Sequence, residues 1–78
     1  MNKTRRQELQ TAINLLEDAK SIIESAMNEE RDGFDNLSEG LQATSRGQAM
    51  EAAVDYLEDA ISTIDDTIGN IESAQYAG

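Results

Sequence analysis

Carboxylates are the one chemically active side chain that this sequence sets at a regular interval. Glu17 and Glu24 lie seven residues apart, and Glu51, Glu58, Asp65 and Glu72 repeat that step later in the chain. On an α-helix a seven-residue step returns to nearly the same face, so each set forms a row of negative charge. Such rows suit acid–base chemistry, cation binding, or imitation of a nucleic acid's phosphates. The first two need partners that are missing. With no histidine and no cysteine, the chain lacks nucleophile–base pairs, thiol chemistry and the usual zinc ligands. It has no glycine-rich phosphate loop, and its serines have no companion base, so we expect no enzyme. The stretch Asp32-Gly33-Phe34-Asp35-Asn36-Leu37-Ser38-Glu39 does not alternate oxygen ligands around a sixth-position glycine, as a calcium loop requires. Glu-x-x-His pairs of di-iron bundles are impossible without histidine. Neither metal nor cofactor is expected.

Charge balance narrows the partner. The formal net charge is −10, from 16 acidic and 6 basic residues. Lys3, Arg5 and Arg6 come first, so from Gln7 onward 16 acids stand against 3 bases. Direct nucleic-acid binding needs a basic patch and is excluded on this ground, and anionic membrane surfaces are disfavoured. A basic protein is the electrostatically sensible partner. No apolar run approaches the roughly 18 residues of a membrane span, and the opening residues lead into a polar segment, so a soluble, cytoplasmic protein is expected. Lys3, Arg5 and Arg6 read either as a frayed basic end or as partners for the acids of a second chain.

The elements that position these charges follow from an internal repeat. Ala12-Ile13-Asn14-Leu15-Leu16-Glu17-Asp18-Ala19 matches Ala53-Val54-Asp55-Tyr56-Leu57-Glu58-Asp59-Ala60 in type at every position. Leu9, Ile13, Leu16, Lys20, Ile23 and Met27 alternate steps of four and three, and Met50, Val54, Leu57, Ile61, Ile64, Ile68 and Ile71 do the same. This is a heptad seam on two similar helices. The first is expected over about 5–31, with Thr4 and Gln7 as its capping box and Gly33 closing it in the left-handed conformation. The second is expected over about 46–75, opened by Ser45 and Gln48. The connecting loop, 32–45, carries Phe34, Leu37 and Leu41 at helical spacing and reads as a short helical segment folded onto the bundle.

The whole chain, 1–78, is thus expected to be a single all-α domain, an antiparallel two-helix coiled-coil hairpin. An antiparallel register in which facing residue numbers sum to 77 pairs Leu9 with Ile68, Leu16 with Ile61, Lys20 with Leu57 and Met27 with Met50. In this register the small residues Ala12, Ala19, Ala26, Ala53, Ala60, Thr67 and Ala74 close one side. Carboxylates face carboxylates across the other, without opposing lysine or arginine. Leu15, Ile22 and Tyr56 lie beside the alanine side, apolar but outside the seam. Either the 34–41 segment covers them or a second copy of the chain does. Two lone helices of this size bury too little, which favours a homodimeric four-helix bundle.

The loop Phe34-Asp35-Asn36-Leu37-Ser38-Glu39-Gly40-Leu41-Gln42, with the Met1-Asn2-Lys3 and Arg5-Arg6 opening and Ser45-Arg46-Gly47-Gln48-Ala49-Met50-Glu51, resembles a group of small acidic proteins encoded by phages and prophages of Gram-positive bacteria. The likeness spans most of the chain, though only the loop is distinctive, and Ser38 stands where that group often has proline. It implies a phage product acting in the bacterial host cytoplasm, and by analogy of class an inhibitor of a nuclease or CRISPR effector. The expected function is therefore nucleic-acid mimicry toward a basic nucleic-acid-handling host protein. Glu17, Glu24, Glu51, Glu58, Asp65 and Glu72 would form the charge ladder, with Asp55, Asp59 and Asp66 beside it. The competing expectation is a structural or adaptor oligomerisation module whose acidity serves solubility alone.

Overall fold

A computed structural model describes all 78 residues, from Met1 to Gly78. Three helices follow in order: α1 (Lys3–Asp35), α2 (Glu39–Gln42) and α3 (Ser45–Ala77). The long helices α1 and α3 fold back on each other as an extended hairpin, bringing the Met1 amino group onto the Gly78 carbonyl. The rod measures 58 × 16 × 12 Å. No helix is long and apolar enough to cross a membrane.

Caps set the helix starts, and both lie earlier than the spacing suggests. Asn2, in extended backbone, accepts a hydrogen bond from the Arg5 amide at 2.8 Å, so Thr4 is already helical. Thr44 does the same for the Gly47 amide at 3.3 Å, displacing Ser45 as the cap of α3. Asn and Thr both satisfy the orphan N–H groups of a first helical turn, which is why either position serves.

At the other end of α1 the expectation for Gly33 fails. No glycine has positive φ, and α1 runs through Gly33 to Asp35. The exposed end is satisfied from elsewhere: the Gln42 amide donates to the Phe34 and Leu37 carbonyls, at 3.2 Å each. Ser38 caps α2 by accepting from the Leu41 amide at 3.4 Å. The distinctive loop residues are therefore a chain of caps that joins three helices. Phe34, expected in the connector, belongs to α1; of the connector's own apolar side chains Leu37 is half-buried and Leu41 stays 53% exposed, so the connector folds onto the rod only in part.

The longer α1 changes the register. The 77-sum pairing sets Lys20 against Leu57, Gly33 against Thr44 and Gln75 against Asn2. Instead the Lys20 ammonium lies 2.7 Å from Asp65. The Met50 methyl comes within 3.1 Å of where a Cβ on Gly33 would sit. The Gln75 amide donates to the Arg6 carbonyl at 3.1 Å. Every pair is displaced in the same sense by at least one seam step. The physical reason lies in the ends: the hairpin closes between Asp35 and Ser45 rather than between Arg31 and Arg46, and the turn carries the register with it.

Seam residues still form the core. Ile13, Val54 and Ile68 are buried at 4%, 8% and 8% exposure, and the remaining apolar seam positions are half-buried. No other hydrophobic side chain is buried.

Candidate acidic interface

Along the open flank of the hairpin, opposite the alanines, two bases are set among the ladder carboxylates. Lys20, a seam residue, turns its ammonium outward to Asp65 at 2.7 Å and to Glu24 at 3.7 Å. The hydrogen bond to Asp65, more than any other influence, raises the Lys20 pKa above its usual 10.5. A raised lysine pKa contributes stability that is present below 10.5 and is lost only as pH rises through the higher folded value. Lys20 therefore keeps its charge throughout the neutral range.

Arg31 supplies the second base and bonds Glu58 across the hairpin. This corrects the expectation that carboxylates meet carboxylates with no lysine or arginine opposite. The signal was present in the sequence, since Arg31 follows Glu24 by one heptad and lies on the same flank as Glu17. Because α1 continues to Asp35, Arg31 lies inside the helix and not at its end.

Where no base intervenes, Glu17 and Glu72 line a shallow groove together with Arg6, Gln10, Ile13, Gln75 and Tyr76. Neither carboxylate forms an ion pair: the chain's cross-helix pairs are those of Lys20 and Arg31 alone. Gln75 fixes the upper end of this groove through its bonds to the Arg6 carbonyl at 3.1 Å and to Gln10 at 3.4 Å. Farther along, Glu51 and Asp55 border a depression that also contains Arg31 and Phe34. Asp59 and Asp66 are exposed on the outer face of α3, away from the groove. The nine proposed partner-binding residues thus divide. Glu24, Glu58 and Asp65 are held by bases of the chain itself, and the other six are not. No three carboxylates converge closely enough to hold a metal ion.

On the alanine side, Leu15, Ile22 and Tyr56 are exposed at 64%, 71% and 76%. The connector does not reach them. Of the two coverings considered for these side chains, the intramolecular one is removed.

The ion pairs give a direct prediction. Replacing Glu58 and Asp65 together by Gln and Asn is expected to lower the melting temperature, because it removes attraction rather than repulsion. Both pairs are open to solvent, which screens them, so the fall is small and its sign is what matters. A thermal melt followed by circular dichroism reads the sign. A rise would show that repulsion among the acids outweighs both bridges.

No family model matches the chain, and neither a curated protein nor a solved structure matches it.

Proposed function

We propose that this chain is a non-enzymatic, phage-type acidic protein, paired into a homodimeric four-helix bundle. It binds a basic nucleic-acid-handling host protein, a nuclease or CRISPR effector, in the host cytoplasm and inhibits it by standing in for nucleic acid. The observation that carries the reading is the groove between Glu17 and Glu72, where two carboxylates remain unpaired although Arg6 lies within the same lining. Together with Glu51, Asp55, Asp59 and Asp66 they leave negative charge spread along the rod rather than neutralised within it. A row of carboxylates on a rigid helical frame offers a basic groove charge at fixed spacing, with little ordering cost on binding.

A second reading is favoured by a different observation. The exposure of Leu15, Ile22 and Tyr56, and the internal use of Glu24, Glu58 and Asp65 in ion pairs, suit an oligomerisation adaptor whose acidity only keeps it soluble.

Salt separates the two. Proteins captured on the immobilised chain from a bacterial host lysate should elute early in a salt gradient, be enriched in nucleases or other nucleic-acid binders, and be displaced by duplex DNA. Glu17→Gln with Glu72→Gln should weaken that capture at least fivefold with the melting temperature unchanged or raised, since neither carboxylate has a bonded partner to lose. Capture that persists in high salt and is indifferent to these two substitutions would favour the adaptor.

A further inference from the structure

The acidic rod has one face with almost no charge. On α1 the positions flanking the seam on the alanine side are Ala12, Leu15, Ala19, Ile22 and Ala26, bracketed by Glu8 and Glu29. The matching positions of α3 carry no charge from Ala49 through Ala74. Leu15, Ile22 and Tyr56 stand exposed on it, and two quantities of the whole chain match those of a molecule with a partner surface. The chain exposes 5509 Å², whereas a folded monomer of 8.5 kDa exposes about 4,650 Å². The excess, about 850 Å², is close to the roughly 800 Å² that one partner contributes to a stable interface. Only 4 of 78 residues are buried, with three apolar side chains among them, which is too small a core for a lone domain.

We infer that a second copy of this chain docks antiparallel on the uncharged face, α1 lying along α1, with the basic end of each copy beside the loop end of the other. This rests on the homodimer proposed above and adds its orientation. On this face Arg5 sits toward the end where the termini meet and Glu29 toward the loop end. A parallel pair would stack like charges at both ends. An antiparallel pair sets opposite charges together at both. One register satisfies the side chains as well. With the two-fold axis level with Glu17, Leu15 lies over Ala19 of the second copy and Ile22 over its Ala12, large against small, while Arg5 reaches its Glu29.

Sedimentation equilibrium on the full chain tests the association, and a charge swap tests its register. Wild type is expected to be a dimer at micromolar concentration. Arg5→Glu should raise the dissociation constant about tenfold, and adding Glu29→Arg should restore it to within about threefold. Neither substitution touches the core, so loss of folding does not confuse the result. Orientation is read by a nitroxide on Thr4→Cys, which in the antiparallel pair sits opposite Glu30 of the second copy, about 39 Å along the axis at 1.5 Å per residue. A folded monomer at all concentrations, a label separation under about 25 Å, or a double variant no better than Arg5→Glu would each overturn the proposal. The capture experiment above reads a different surface, so basic-partner binding can stand while this arrangement fails, and the reverse.

Discussion

Replacing Ile13 by alanine is expected to lower the melting temperature by about 12–24 °C. Ile13 is the most deeply buried side chain at 4% exposure, and only Val54 and Ile68 share its state. Removing a buried isoleucine to Cβ costs about 3 kcal/mol, from lost transfer energy and the cavity left behind. Each kcal/mol corresponds to about 4–8 °C in a domain of this length. Chains of this size have total stabilities of only about 4–12 kcal/mol, so the loss removes about a quarter to three quarters of it. Leu41→Ala is the control, since Leu41 is 53% exposed on α2 and its truncation should cost under about 0.5 kcal/mol. Equal effects at the two sites, by thermal or urea melts, would mean that the seam is not the core.

Gly47→Ala is expected to destabilise the fold by about 1–3 kcal/mol, although glycine to alanine inside a helix ordinarily stabilises by about 1 kcal/mol. Gly47 is buried in the first turn of α3, where the end of α2 crosses it. A Cβ there would lie 2.7 Å from both the Cα and the carbonyl carbon of Gln42 and would collide with the carbonyl oxygen. Those atoms are backbone and cannot swing aside. Moving them would also disturb the Gln42 amide that closes the Phe34 and Leu37 carbonyls. Gly69 provides the opposite case: nothing lies within 4 Å of its would-be Cβ, so Gly69→Ala should stabilise by roughly 0.5–1 kcal/mol. A urea titration of the two variants reads the contrast as shifts of opposite sign. Shifts of the same sign would show that the α2–α3 crossing is looser than the structure has it.

Heptad spacing in the sequence was enough to determine that two long helices form and which stripe of each turns inward, because that stripe is a local property of a helix. Ile13, Val54 and Ile68 are all seam positions, and the spacing of Phe34, Leu37 and Leu41 signals a short helix in the connector, although Phe34 belongs to α1 and only Leu41 lies within α2. The level at which the helices meet is not local. It depends on where α1 stops, and that is decided by the Gln42 amide reaching back to carbonyls that sequence alone leaves open. A heptad pattern is satisfied equally by registers one seam step apart, so periodicity could not choose between them. The candidate interface inherits that limit. Its carboxylates are plain in the sequence, but Arg31 meeting Glu58 and Lys20 meeting Asp65 exist only in the register that the closed connector imposes. Tertiary structure therefore separated the acids bonded within the rod from Glu17 and Glu72, which keep their charge free along its groove.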